Sequence, residues 1–579
     1  MKMINLTINN IPVTVPEGTT ILQAAKQINI DIPSLCYLKD INCIGACRVC
    51  VVEIVGRRGL TASCTYPVEE GMKVLTNTPA VRASRKTTLE LILSTHNRKC
   101  LSCARSGKCE LQKLAADYGT DEERFAVKEE LVPIDDITPY VVRDNNKCVN
   151  CQRCISACKN VQSVGAIGNI RRGYDVHVGS PFEMSLAGTD CVGCGQCIVA
   201  CPVGALSEKS NEKKVWEAIQ DPSKKVVFFT APSIAATLGE CFDMPVGTNV
   251  EGKMVTAIKM LGDVEAYNMN ITADLTIVEE ANELIERVKS DKPLPMFTSC
   301  CPGWIKFCEH NYPELLPNLS SCKSPQQMFG ALLKTYYCEK NGIDPKDLFV
   351  VSVIPCTAKK FEAERDEFAH AGVEDVDVAL TTRELARMIK NSSISFVDLP
   401  DSEFDDPFAL ATGAGAIFGA TGGVMEAALR TANNLLGGNN EALVFSDVRG
   451  TDGIKEATYT INGTEVSVCV ASGLANARKV IEMIKSGEKN YLFVEIMACP
   501  GGCINGGGQP FQFDAVRNFV DLKSLRAAVL YKSDDANGLR KSHESPVVKA
   551  LYDGYLGAPG KDKAHHILHT SYTARKKYR

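Results

Sequence analysis

Five sets of soft metal ligands run along this 579-residue chain. Cys36, Cys47, Cys50 and Cys64 make the first, and His96, Cys100, Cys103 and Cys109 the second. Cys148, Cys151, Cys154 and Cys158 make the third, and Cys191, Cys194, Cys197 and Cys201 repeat its spacing. The last set is spread over three phrases, TSCCPGW (298–304), PCTAKK (355–360) and MACPGGC (497–503). Thiolate and imidazole donors grouped in this way suit iron or zinc rather than the hard cations that take oxygen. Disulfides explain them poorly. The chain is long, its first thirty residues hold no apolar run of signal-peptide type, and it is read as cytoplasmic. In a reducing compartment C-x-x-C runs are metal ligands far more often than bridges. The order of the sets suggests a relay of four electron carriers that ends at a reaction centre.

Each spacing narrows the chemistry. Three ligands in one loop with a fourth further on is the way plant-type ferredoxins hold a [2Fe–2S] cluster. The first gap departs from theirs, with ten residues between Cys36 and Cys47 where they have four. Cys43 lies inside that gap and is read as a spare loop thiol. The second set, H-x3-C-x2-C-x5-C, suits either zinc or a [4Fe–4S] cluster, and taken alone Cys3His more often means zinc. The doubled C-x2-C-x2-C-x3-C run is the pattern of bacterial two-cluster ferredoxins, in which the fourth cysteine of each run ligates the other cluster. One cluster then takes Cys148, Cys151, Cys154 and Cys201, and the other Cys191, Cys194, Cys197 and Cys158.

The elements that must position these ligands can be read in outline. Residues 4–15 alternate apolar and polar about Asn9-Asn10, as a hairpin does. Thr19 or Thr20 then caps a helical run, ILQAAKQIN. Residues 84–96 read as an amphipathic helix. Beyond residue 210 four strand-like runs each end in a polar or cysteine-bearing loop: KVVFFT before Ala231-Pro232-Ser233, PMFT before Ser299-Cys300-Cys301, LFVVSVI before Pro355-Cys356, and YLFVEIM before Ala498-Cys499. Helical patterns lie between them, so parallel α/β architecture follows, with a site beyond the carboxyl ends of the strands. Cys301, Cys356, Cys499 and Cys503 are expected to converge there. Residues 407–425 carry no charge but are glycine-rich, and read as a loop approaching a cofactor before they read as a membrane span. At 45% apolar the chain can bury several cores, and a net charge of −5 gives no support for nucleic-acid binding.

TSCCPGW, PCTAKKFEAER (355–365) and FGATGGVMEAALR (418–430) with MACPGGC resemble the three signature regions of [FeFe]-hydrogenases, and the resemblance spans essentially the whole chain. It implies an α/β multidomain protein: a β-grasp [2Fe–2S] domain at 1–80, a small His-ligated [4Fe–4S] domain at 81–125, a two-[4Fe–4S] ferredoxin domain at 126–209, and a large H-cluster domain with parallel sheets at 210–579. It also resolves the second set in favour of a [4Fe–4S] cluster. Cys301, Cys356, Cys499 and Cys503 are then implied to hold the cubane of the H-cluster, with Cys503 bridging to a diiron unit that carries CO, cyanide and azadithiolate. Lys359 matches the lysine that bonds a cyanide. Ala231, Pro232, Ser233, Gln326, Phe418, Gly419 and Met497 match other pocket positions. Ile354 departs from the family's usual methionine. Cys300 matches the proton donor, and Glu280, Glu283, Arg287 and Ser320 the route of protons to solvent. A solvated helix face is the plainer reading of Glu280 and Glu283. Cys241, Cys308, Cys322, Cys338 and Cys469 lack partners and read as small buried hydrophobes.

The activity implied is reversible H2 oxidation and proton reduction. Two other readings compete: a non-catalytic electron-transfer subunit, for which the modules before residue 110 suffice, and a hydrogenase-like iron–sulfur assembly protein. The complete TSCCPGW phrase and Lys359 favour the enzyme. Pro500, where some ferredoxin-only enzymes of the family have histidine, resembles the catalytic subunits of NAD(P)-linked, electron-bifurcating complexes. The implied partners are a flavin- and NAD(H)-binding iron–sulfur subunit and a small [2Fe–2S] subunit docking on residues 1–125, with ferredoxin as second electron partner. A stand-alone ferredoxin-dependent hydrogenase is the alternative, and no membrane insertion is expected.

Overall fold

The computed structural model describes residues 2–126, 131–438, 443–461 and 463–577. At the N-terminus five strands form one sheet in the order Ile11–Pro16, Met3–Ile8, Lys73–Leu75, Val51–Ile54, Leu60–Ala62. The expected hairpin is present: Ile8 pairs with Ile11, and Asn9 and Asn10 both take positive φ (51° and 66°), which asparagine tolerates. Thr20 caps the helix Ile21–Gln27 in a reciprocal box with Gln23. Ile21, Ala24 and Ala25 of that helix pack on Ile4, Leu6, Ile8, Val13 and Val15.

The helix read at 84–96 is Pro79–Ser94, which begins five residues earlier. Thr78 caps it and Pro79 opens it, a start signal that amphipathicity alone does not show. In the next region the internal repeat is also a repeat of backbone. Asn150 and Gln152 in the first cysteine run, and Gly193 and Gly195 in the second, all have φ between 50° and 70°. Each run then enters a short helix, Arg153–Ser156 or Gln196–Ala200.

The large C-terminal region contains two four-stranded sheets, so the four strands expected in parallel are divided between them. In the first sheet Val264–Asn268, Lys225–Thr230, Leu348–Val353 and Val378–Leu380 are all parallel. In the second, Met296–Phe297, Phe493–Met497 and Thr464–Ser472 are parallel, and Ile454–Ile461 adds an antiparallel edge. Nearly every residue of Lys225–Thr230 and Phe493–Met497 is buried, as strands covered on both faces require. The helix Asn270–Val288 packs against Gly423–Leu435 and Pro325–Leu332 beside these sheets.

The glycine-rich segment is not a membrane span. It forms two short helical turns, Gly413–Ala416 and Ile417–Gly419, before the helix Gly423–Leu435. Among the described residues no helix is long and apolar enough to cross a membrane. Its glycines serve backbone packing as much as any cofactor. Gly422 (φ 91°) lies against the Val448 carbonyl, where a Cβ would collide.

Candidate active site

The ends of strands from both sheets meet at one cavity. From the first sheet come Ala231, Pro232 and Ser233 after Thr230, and Ile354, Cys356 and Lys359 after Val353. From the second come Cys300 and Cys301 after Phe297, and Met497, Cys499 and Cys503 at and after the end of Phe493–Met497. Gln326 reaches in from Pro325–Leu332, and Phe418 and Gly419 close another wall. All thirteen residues that the sequence placed around the reaction centre therefore line one space. The loop that carries Cys503 fits only because residue 502 is glycine. Its φ is 98°, and a Cβ there would stand 2.7 Å from the Thr421 amide nitrogen.

Burial pushes the thiols of Cys301, Cys356, Cys499 and Cys503 up, and those of Cys356, Cys499 and Cys503 are raised further by their neighbours in the set. Four desolvated thiols facing one another are stable as thiolates only around a cation, and sulfur donors suit iron. Ser233 Oγ is buried on the cavity wall without a hydrogen-bond partner. Lys359 Nζ is held at the wall by Glu362 at 2.8 Å, and Glu362 also accepts from Gln326 Nε2 at 3.0 Å. A cation, an orphaned hydroxyl and four soft anions fit an anionic iron–sulfur group with polar ligands.

Cys300 points into the same cavity, and Glu280 is the first charged group that bears on it. Glu280 is fully buried, faced by Ser320 and the Ser299 backbone, and desolvation pushes its carboxyl up to about 8. Ser320 Oγ donates to Glu283 Oε2 at 3.0 Å. Arg287 grips Glu283 Oε1 through Nε (3.0 Å) and Nη2 (2.7 Å), and also donates to the carbonyls of Pro293, Pro317 and Leu319. Glu280 and Glu283 are thus a buried face, not a solvated one. Ser320, Glu283 and Arg287 are hydrogen-bonded in series towards the Pro293 loop, and Glu280, whose carboxyl oxygens have no hydrogen-bond partner, bears on Cys300 at the cavity end.

The relay ligands also gather. Cys36 contacts Cys47 and Cys64, and Cys50 contacts Cys64. Cys43 donates to the Cys64 carbonyl at 2.9 Å. Cys100 and Cys109 both lie near Cys103. His96 is buried with Nδ1 unpartnered, and burial lowers its pKa to about 4, so it is neutral, the form that binds metal. Cys201 sits with Cys148, Cys151 and Cys154, and Cys158 with Cys191 and Cys197, which is the crossed arrangement.

Sequence reasoning missed how closely the relay adjoins the cavity. Cys194 lines the same cavity as Cys499. Thr357 Oγ1 donates to the Gly193 carbonyl at 2.6 Å, Gln196 Nε2 to the Asn505 carbonyl at 2.9 Å, and Lys306 Nζ to Tyr140 Oη at 3.0 Å. Arg153 pairs with Asp514, and Arg383 with Glu208 at 2.6 Å. Met269 was missed as well. It follows Val264–Asn268, one of four strands beyond those expected, whose apolar residues Val264, Ala266 and Tyr267 were the available signal. Glu362 could have been found one helical turn beyond Lys359.

Strand ends, a thiol-lined cavity and cysteine runs leading to it define an iron–sulfur enzyme with its own electron relay. Comparison with known proteins gives the family. Residues 224–507 match "Iron only hydrogenase large subunit, C-terminal domain", and 520–575 match "Iron hydrogenase small subunit". Upstream, 1–79 match a 2Fe-2S iron–sulfur cluster binding domain, 85–124 the NADH-ubiquinone oxidoreductase-G iron–sulfur binding region, and 138–207 the ferredoxin-like domain of NADH-quinone oxidoreductase subunit 3. The chain is 46% identical to NADP-reducing hydrogenase subunit HndD of Solidesulfovibrio fructosivorans, over 100% of both chains. It is 44% identical to Iron hydrogenase 1 of Clostridium pasteurianum, over 98% of this chain and 100% of that one. A solved apo [FeFe]-hydrogenase HydA1 from Chlamydomonas reinhardtii superposes with a TM-score of 0.57 at 41% identity, covering 63% of this chain and 99% of that one. The chain belongs to the [FeFe]-hydrogenase family. It is an iron hydrogenase with iron–sulfur domains of both the 2Fe-2S and 4Fe-4S kinds ahead of an H-cluster domain.

Proposed function

We propose that this hydrogenase is the catalytic subunit of an electron-bifurcating complex that links H2 to both ferredoxin and NAD(H). The observation that carries the catalytic part is the shared cavity, with four cubane thiols, Cys300 and Cys194 on its walls. Cys301, Cys356, Cys499 and Cys503 would hold the [4Fe–4S] part of the H-cluster, and Cys503 would be the thiolate nearest a diiron unit carrying CO, cyanide and azadithiolate. When bound, that unit supplies the metal chemistry that cleaves or forms H2. Lys359 orients and neutralises it, while Ser233 and Gln326 offer hydrogen bonds. Ala231, Pro232, Phe418, Gly419 and Met497 keep water out. Cys300 gives and takes the proton at its Sγ, and Glu280, Ser320, Glu283 and Arg287 pass it outward. The Cys194 loop, on the wall of the same cavity, would hold the cluster that passes electrons between this centre and the remaining sets.

Nineteen cysteines and His96 make twenty ligands, enough for one [2Fe–2S] and four [4Fe–4S] clusters. Fully matured protein is expected to hold about 20 iron atoms per chain and to show CO and cyanide bands in the infrared. Protein made without the maturation machinery is expected to keep the cubanes, lack those bands and evolve no H2. Only two or three clusters after full reconstitution would reject this assignment.

The partner proposal rests on full-length similarity to a relative named as an NADP-reducing hydrogenase subunit, on Pro500, and on upstream domains akin to those of NADH oxidoreductases. A flavin- and NAD(H)-binding subunit and a small [2Fe–2S] subunit are expected to dock on residues 1–125. Similarity to Iron hydrogenase 1 over 98% of the chain supports a second reading, a stand-alone ferredoxin-dependent enzyme. Native purification decides between them. Co-purifying subunits with NAD-linked activity are expected. A lone 62.8 kDa chain with full ferredoxin-linked activity, from an extract without NAD-linked activity, would establish the second reading.

A further inference from the structure

Outside the cavity, a second group of metal-ligating side chains gathers where the C-terminus returns to the helix Asn270–Val288. The segments of Cys322 and His569 are joined by an antiparallel bridge, with Lys323 N donating to the Leu568 carbonyl and Thr570 N to the Ser321 carbonyl. One ligand atom each from Glu283, Cys322 and His569 lies within 4.8 Å of the others, and all three residues are buried. Cys322 was read as a small hydrophobe, yet its Sγ stands 3.8 Å from Glu283 Oε2. Tetrahedral zinc, with bonds of about 2.3 Å to sulfur and 2.0–2.2 Å to oxygen, sets those two atoms about 3.5–3.7 Å apart. The donors are therefore already near the edge length of a zinc site.

The surroundings complete the case. Arg287 occupies Glu283 Oε1, while Oε2 faces Cys322 and accepts from Ser320 Oγ and the Ser321 amide at 3.0 Å each, bonds that a cation there would displace. His569 is anchored at both nitrogens, by Ser321 Oγ at 2.8 Å and Glu279 Oε2 at 3.0 Å. A metal takes one nitrogen, and the other keeps its orienting partner, as in most histidine-ligated sites. The His565 ring, itself exposed, stacks on His569 at 4.6 Å. One thiol, one imidazole and one carboxylate select a borderline cation over calcium or magnesium.

We propose that Glu283, Cys322 and His569 bind one divalent cation of the zinc type, and that occupancy closes the proton route. The blocking half rests on the reading that Glu283 relays protons. Binding releases the Cys322 thiol proton to solvent, and the thiolate and carboxylate balance the cation's charge. Glu283 Oε2 then bonds to metal, and Ser320 loses the acceptor it needs.

The test uses matured full-length enzyme in zinc-buffered solution. Bound zinc, retained iron, H2 turnover and chemical reduction of the clusters are followed together. Wild type is expected to bind one zinc that Cys322→Ser and His569→Gln each lose. Turnover is expected to fall at least tenfold, with iron content and cluster reduction unchanged. Both variants are expected to keep basal turnover within about twofold and to need at least tenfold more zinc for half-inhibition, the scale on which lost site contacts weaken metal binding. Should His569→Gln not fold, Cys322→Ser, nearly isosteric, carries the comparison. Equal zinc binding by wild type and variants would overturn the site. Zinc bound through Cys322 without loss of turnover would leave the site standing and remove Glu283 from the proton route.

Discussion

Cys300→Ala is expected to leave the H-cluster assembled and to lower turnover by about 10²–10⁴-fold, the contribution of a positioned proton donor. Cys300 and Cys301 are neighbours in sequence but not in role. Cys301 opens the helix Pro302–Asn311, and its Sγ accepts from the Ala498 amide at 3.3 Å, on the side of Cys356 and Cys499. Cys300 faces the cavity towards Glu280 and Lys359. Alanine removes the proton that Sγ carries without removing a cubane ligand. Infrared spectra of the matured variant are expected to keep their CO and cyanide bands while H2 evolution collapses. Cys300→Asp is expected to retain measurable activity, because a carboxyl also relays protons. Loss of the bands in Cys300→Ala would show that the residue is structural.

What the sequence made legible follows from where chemistry constrains spacing. Cysteines that must share a cluster have little freedom, so the four relay sets and the crossing of Cys158 and Cys201 could be read before any fold was known. The strand-end logic brought Cys301, Cys356, Cys499 and Cys503 together although 202 positions separate the first from the last. Periodicity at i, i+3 placed Glu280 and Glu283 on one face, but burial of that face depends on Ser320, Ser321 and Leu319 arriving from elsewhere. No local pattern announces that arrival. The division of four strands into two sheets was equally hidden, because hydropathy marks a strand as buried without naming its neighbours. The same holds for the C-terminus. His569 meets Glu279 across 290 positions and Arg526 meets Glu240 across 286. Long-range polar pairs of that kind leave no periodic trace.

The arrangement separates two flows. In the proposed function electrons would leave by the wall that carries Cys194, which Thr357, Gln196 and Lys306 tie to the ferredoxin-like segment. Protons would leave past Cys300 along Asn270–Val288. Each path is built from the chemistry it needs: soft sulfur for iron, and buried carboxyls and hydroxyls for protons. Glu280 is where the second path pays most in stability, because a buried carboxylate has lost its water.

Glu280→Gln is therefore expected to stabilise the fold while it disables the enzyme. Desolvation raises the folded-state pKa of Glu280 from 4.5 to about 8, and the charge on Glu283 adds to the rise. Below about pH 4.5 the carboxyl is protonated in both folded and unfolded chains, so it costs no stability. Between 4.5 and about 8 the unfolded chain ionises and the folded one does not, so stability falls as pH rises. Above about 8 the penalty levels off, on the order of 5 kcal/mol at about 1.4 kcal/mol per pKa unit. Glutamine keeps the shape and carries no titrating proton. Thermal unfolding of the variant is expected to match wild type near pH 5 and to lie above it at pH 8, a gap that widens with pH. Turnover is expected to drop about 10²–10⁴-fold, because the amide neither accepts the Cys300 proton nor passes one to Ser320. Infrared bands and chemical reduction of the clusters are expected to stay as in wild type, which separates a broken proton route from a broken relay. A variant that keeps full turnover would take Glu280 out of the route, and one less stable than wild type at pH 8 would mean that the buried carboxyl is held by bonds stronger than its desolvation.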